Sequence, residues 1–142
     1  MYGDSEEAAF YGGGYAMAED RIFQMALRRR AVQGRVAEIL GAGPEDRFLL
    51  QDRRSRIFAF HLRARETVER LSGETRRNLE AFAAGVNAYL QDSEGKLSPL
   101  FAVYGGAPEP WSAADSIAIC DHLGQRFSFG WEGELQALRE AE

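Results

Sequence analysis

Lysine is almost absent from this sequence: Lys96 is the only one, and arginine supplies the rest of the 17 basic residues. Arginine suits fixed ion pairs and planar stacking better than loose solvation, so the bias points to many structured contacts. Cysteine is equally scarce. With Cys120 alone, no disulfide can form within the chain, and cysteine gives no sign of either redox compartment. No apolar run is long enough to span a bilayer. The opening Met1-Tyr2-Gly3-Asp4-Ser5 is polar and turn-like and has none of the features of a signal peptide. It predicts either a cytoplasmic protein or a chain whose leader lies upstream. Basic charge does not dominate, and a formal net charge of -5 argues against nucleic acid as a partner. Histidine is limited to His61 and His122, without cysteine nearby or zinc-type spacing. No G-x-S-x-G elbow supports a Ser-His-Asp triad. Both histidines read as ordinary core or surface residues.

What is present suits one globular unit. A chain of 142 residues, 45% hydrophobic, can bury a core, and residues 1–142 are expected to form a single helical domain. Ser5 before Glu6 and Glu7 is a helix start, with a capping hydroxyl and acids toward the positive end of the dipole. Gly12-Gly13-Gly14 follows, flanked by Phe10, Tyr11 and Tyr15. Each glycine costs a helix roughly 1 kcal/mol relative to alanine, so the backbone must either pack closely there or break. From Glu19 the spacing of Ile22, Phe23, Met25 and Ala26 is helical, and Val32, Val36, Ile39 and Leu40 continue it with Gly34 inside. Gly41-Ala42-Gly43-Pro44 ends the element. A third helix is expected from Glu45 to Leu71, and a fourth after Ser72 with Leu79, Phe82, Ala83, Val86, Asn87 and Leu90 inward. Asp92 to Pro110 reads as a long surface connection. Ser112-Ala113-Ala114-Asp115 is a capping box with Asp for Glu, opening a helix that Ser128-Phe129-Gly130 breaks. Glu132 to Glu142 reads as one more helix. Without strand alternation or repeats, the fold class is mainly α.

No residue in this pattern forms a self-contained active site. Cys120 on an apolar stripe reads as a small buried hydrophobe, not a nucleophile. The triple glycine lacks the G-K-[ST] and preceding strand of a phosphate loop. Arg28-Arg29-Arg30 and Arg53-Arg54-Arg56 have acids close by in sequence, so ion pairing or solvation accounts for them better than nucleic acid does.

One run carries more. Ala9-Phe10-Tyr11-Gly12-Gly13-Gly14-Tyr15-Ala16-Met17-Ala18-Glu19-Asp20-Arg21-Ile22-Phe23-Gln24-Met25 resembles the F-Y-G-x-G-Y-x-x-A-Q-D-R-L-F-Q-M signature of penicillin acylase α subunits. The resemblance continues through Arg29-Arg30, 33–41, 79–89, 108–115 and Arg126-Phe127-Ser128, in the same order along nearly the whole chain. Such α chains usually begin with a segment ending in P-H-I-Y and run on past the position of Glu142, and their long β chain is absent here. The resemblance therefore implies an α-subunit fragment, an engineered piece or a short gene product.

It also implies a function. The fold would be the helical α-subunit domain of an N-terminal-nucleophile (αββα) amidohydrolase, which cleaves the acyl side-chain amide of β-lactams or related N-acyl compounds. The nucleophile would be the N-terminal serine of the partner β subunit, its α-amine acting as base. No catalytic residue would lie on this chain, which should be inactive alone. Its share would be substrate binding: Arg126 and Phe127 map onto the helix over the acyl pocket, with Leu123 one turn earlier. Family members hold a structural calcium with one α-chain glutamate shortly after this motif. Glu134 matches best, Glu132 is a rival, and calcium is expected only with the β chain. By the same resemblance the mature enzyme is periplasmic or extracellular. The alternative reading is a non-catalytic helical interaction module derived from this family.

Overall fold

The computed structural model describes residues 4–93, 97–128 and 131–140, without the side chains of Trp131, Glu132 and Leu135. Every regular element among them is a helix, as the mainly α reading expects. Helix α1 (Glu6–Gln33) starts where Ser5 Oγ accepts from Ala8 N at 3.1 Å. It runs through the three glycines and departs from helical angles only at Arg21 (φ -150°, ψ 33°). The glycines permit close packing, not a break. Its main neighbour is α5 (Gly73–Asp92), capped by Ser72. The two helices run in the same direction. Glu7 and Glu6 meet Arg77 and Asn78 at one end, and Tyr15 meets Tyr89 and Asp92 at the other. At their crossing the backbones nearly touch. A Cβ added to Gly85 would fall 1.9 Å from Tyr11 O, and one added to Gly14 would fall 2.1 Å from Phe82 O. Only glycine allows such an approach.

Three expected boundaries move. Gly34 terminates α1 instead of lying inside it. Its left-handed conformation (φ 68°, ψ 45°) lets Gly34 N and Arg35 N cap the last carbonyls. Arg56 Nε then donates to Gly34 O, and a Cβ there would meet Asp52 O at 2.5 Å. A short helix α2 (Ala37–Leu40) follows, its first amides held by the buried Asp52 carboxylate: Val36 N to Oδ1 at 2.9 Å and Ala37 N to Oδ2 at 2.8 Å. The expected helix from Glu45 to Leu71 is two, α3 (Arg47–Phe58) and α4 (Phe60–Arg70), after a 3-10 turn at Pro44–Asp46. Ala59 separates them in the left-handed region (φ 53°). Finally, α6 (Leu100–Tyr104) interrupts the expected surface connection, and Phe101 and Tyr104 pack against Phe23.

Helix α7 (Ala113–Phe127) lies mainly on α4, and α8 (Trp131–Glu140) follows. Phe129 and Gly130, the expected breaker, lie outside the described residues, as do residues 141 and 142 of the last expected helix. Two apolar clusters result. One gathers Ala18, Ile22 and Met25 of α1 with Ala83 and Val86 of α5 and Trp111. The other gathers Val32, Phe60, Ala64, Ala114 and Ala118. Cys120 is exposed, not buried as expected, because Ala114 and Ala118 already occupy the inner side of α7 and Cys120 points away from them. His122 stands edge-on to Phe60, with ring centroids 5.3 Å apart. Burial, and then the nearby charges of Arg126, Arg28 and Arg54, lower its pKa below the ordinary histidine value.

Two predictions follow from this packing. Gly85→Ala should destabilise the fold by roughly 1–3 kcal/mol or more, because the helices must separate. Gly13→Ala, with nothing within 4 Å of the added carbon, should gain up to about 1 kcal/mol of helix propensity. Denaturant melts of both variants check this, and equal effects would mean that the crossing is not close. The second concerns pH. The folded chain holds a proton on His122 less readily than the unfolded chain does. This stabilisation is present above the ordinary histidine pKa and is lost as pH falls through the depressed native one. Melting temperature should therefore fall on acidification below about pH 6.5, and His122→Gln should flatten that part of the profile. Parallel profiles for the two proteins would exclude His122 as the cause.

Candidate substrate-facing site

Helix α7 carries the three residues expected to face substrate, and its start is fixed by a buried polar assembly. Arg29 projects from α1 into the space beneath residues 109–115. Its Nη1 donates to Glu109 O at 3.0 Å and Pro110 O at 2.9 Å, and lies 3.9 Å from Asp115 Oδ2. Nη2 is 3.5 Å from Glu109 Oε2, and the guanidinium stands 5.6 Å from the centre of the Trp111 ring. Burial lowers the Arg29 pKa, and the Asp115 and Glu109 carboxylates oppose that shift. Asp115 Oδ2 also accepts from Ser112 N (2.8 Å) and Ser112 Oγ (2.7 Å), so the expected capping box is formed. Asp115 Oδ1 faces His61 Nδ1 at 3.8 Å, and neither atom has a hydrogen-bond partner among the described residues.

Asn87 of α5 completes the anchor. Trp111 N donates to its Oδ1 at 2.6 Å, while its Nδ2 donates to Trp111 O at 2.9 Å. The indole N–H of Trp111 reaches Ser116 Oγ at 3.0 Å. Outside this centre, Arg30 and Arg35 share Glu38 and Glu109. Arg29 and Arg30 of the first basic run are thus ion-paired, and Arg28 is exposed on the helix surface, in line with the expected ion pairing or solvation. Sequence reasoning did not single out Arg29, Asn87 and Asp115 as one assembly. The available signal was a polar Asn on the inner face of α5.

From Asp115 the helix extends roughly 18 Å to Phe127, at 1.5 Å per residue. Leu123 and Phe127, one turn apart, both face outward, 42% and 72% exposed. Arg126 is exposed on the same last turn, beside His122. The structure thus brings Leu123, Arg126 and Phe127 together on one helix end. Such exposure is unlike that of core side chains, which in the same helix are alanines. Glu134 is exposed on α8, and the Glu132 side chain lies outside the described residues. Among the described residues no three His, Cys, Asp or Glu side chains are grouped as a metal ion would need. Glu134 alone cannot supply the six to eight oxygens that calcium takes. No helix among the described residues is long and apolar enough to cross a membrane.

Comparison with known proteins places this geometry. The family model described as penicillin amidase matches residues 1–142. Penicillin acylase 2 proenzyme of Pseudomonas sp. strain SE83 is 36% identical over 127 residues, 89% of this chain and 16% of that protein. Acyl-homoserine lactone acylase QuiP of Pseudomonas fluorescens is 38% identical over 130 residues, covering 92% of this chain and 16% of its own length. The thermostable penicillin G acylase of Alcaligenes faecalis superposes with a TM-score of 0.83 at 30% identity, covering 99% of this chain and 74% of that one. The chain therefore spans about one sixth of the length of these curated relatives. The anchoring residues Arg29, Asn87, Glu109 and Asp115 all lie in the stretches that carried the resemblance, and the likeness holds over sequence and fold alike. The chain belongs to the penicillin amidase family.

Proposed function

We propose that this chain is the α-subunit part of an amide hydrolase acting on N-acyl compounds, and that the outer turn of α7 shapes the acyl pocket. The observation that carries the reading is the family match over all of residues 1–142. The outward placement of Leu123, Arg126 and Phe127 on a firmly anchored helix supports the assignment of those three residues. In this reading the nucleophile is the N-terminal serine of a β chain. Its hydroxyl oxygen bonds to the amide carbonyl carbon while its α-amine takes the proton, through a water. The tetrahedral oxyanion is held by hydrogen-bond donors, the C–N bond breaks, and the amine leaves with that proton. Water then attacks the acyl ester, releasing the acid and restoring the serine. The chain's own residues bind and select: Phe127 and Leu123 bury the acyl group, at about 25 cal/mol per Å² of apolar surface, and Arg126 holds the helix end.

The test compares kcat/KM for short and long acyl amides in the α/β enzyme. Phe127→Ala should shift acyl preference by about 1–3 kcal/mol per discriminated group without abolishing chemistry. Arg126→Ala should weaken several substrates together, and Lys should rescue it only in part because the planar fork is lost. This chain alone should turn over no amide. An unchanged preference in a folded Phe127→Ala enzyme would remove Phe127 from the pocket.

Glu134 is proposed as one carboxylate of a calcium site whose other oxygens come from the β chain. A calcium chelator should then lower the melting temperature of the α/β enzyme but not that of its Glu134→Gln variant.

A further inference from the structure

Helix α3 is built inside out. The side it turns toward α1 and α2 carries Asp52 and Ser55, both buried, while Leu50 and Ile57 on the opposite side are 61% and 73% exposed. At 100° per residue Leu49, Arg53, Ile57 and Leu50 share one face about a quarter-turn wide, opposite Ser55. A helix that buries its acid and exposes its branched apolar side chains has its second partner elsewhere. Beside this face, between α2 and α3, lies a groove of about 610 Å³ with Leu49 and Ile57 on one wall and Arg53 and Arg56 at its edge. The two carboxylates that also line it are already engaged, Glu38 by Arg30 and Arg35 and Asp52 by the first amides of α2. The charge is as uneven as the hydropathy. Helix α3 holds four arginines against one acid, the buried Asp52, in a chain whose net charge is -5.

We infer that this face of α3 docks a segment of the β chain that presents a large apolar side chain between carboxylates. The inference rests on the α-subunit reading above and adds where the partner sits. Three observations favour that occupant. Most of the relatives' length lies outside this chain, which spans 16% of theirs, so there is polypeptide to cover the face. The groove offers an apolar socket with guanidinium at its edge, and planar arginine forks match carboxylates. A second copy of this chain would bring two arginine-rich faces together, where like charges oppose association. Nucleic acid fits less well, because the centre of the face is Leu and Ile, with no exposed aromatic ring on which a base could stack.

The test places a benzophenone photo-crosslinker at position 50 or 57 of the α/β enzyme, with exposed Asp20 of α1 as the control position. Mass spectrometry then identifies the linked peptide. The expected result is one shared β-chain segment from both positions, rich in Asp or Glu beside an apolar residue, and none from position 20. The double variant Leu50→Asp, Ile57→Asp should reduce recovery of the β chain by about tenfold, in keeping with loss of a central anchor. Its circular dichroism should stay unchanged, because both side chains point outward. Crosslinks to a second copy, to nucleic acid, or to nothing beyond the control overturn the inference. Crosslinks to the β chain in an assembly without amidase activity overturn the hydrolase reading and leave the docking face standing. Amidase activity without those crosslinks does the reverse.

Discussion

A single buried cation organises this chain. Arg29 sits almost out of solvent, and an isolated charge in such a place would be untenable. The protein meets it with two backbone carbonyls, two carboxylates and an indole face, drawn from residues 109–115. Each partner is thereby fixed against α1. Glu109 and Pro110 bring in the end of the connection, Trp111 fills the first core, and Asp115 caps α7. Loss of one partner of such a buried pair costs about 3–5 kcal/mol, a large share of what a small protein has to spare. The direction of α7, and with it the position of Phe127, follows from satisfying one guanidinium.

Much of the fold was legible because its signals are local. Ser5, Ser72 and Ser112 announce helices through one hydroxyl and the amides beside it, and all three act as expected. The long amphipathic runs of α1 and α5 carry their own period. The misplaced boundaries depend on distant groups. Gly34 reads as a tolerable interior glycine until Arg56 and Asp52 arrive from α3 to hold the turn. Ala59 carries no breaker signal, since alanine favours helix. The left-handed turn there is repaid by Phe58 stacking on Phe60 and by Phe60 and Ala64 entering the core. Cys120 was misassigned because an apolar stripe does not reveal which of its sides the small alanines claim.

The three residues proposed to face substrate were legible only through resemblance. Nothing in the spacing of Leu123, Arg126 and Phe127 separates them from other helix-end side chains. The segments that carry the resemblance work mainly on each other: 29–30, 33–41 and 108–115 meet in one network of arginines and carboxylates. The most recognisable part of the sequence therefore specifies architecture. The uneven charge of α3 belongs to the same pattern, since its acid is spent internally on α2.

The parallel pairing of α1 with α5 carries a consequence for how the chain acquires its structure. Their contacts join residues 68 to 77 positions apart, as between Gly14 and Phe82 or Tyr15 and Asp92. Closing so long a loop costs roughly 2 kcal/mol more entropy than closing a short helical hairpin. Helical proteins usually fold quickly because their contacts are local, and this one forgoes that advantage. On the ribosome the delay is longer still. At about 5–20 residues per second, the apolar side of α1 waits several seconds for α5 to be made. Ile22 and Met25 are open to solvent, to chaperones and to other nascent chains throughout that interval.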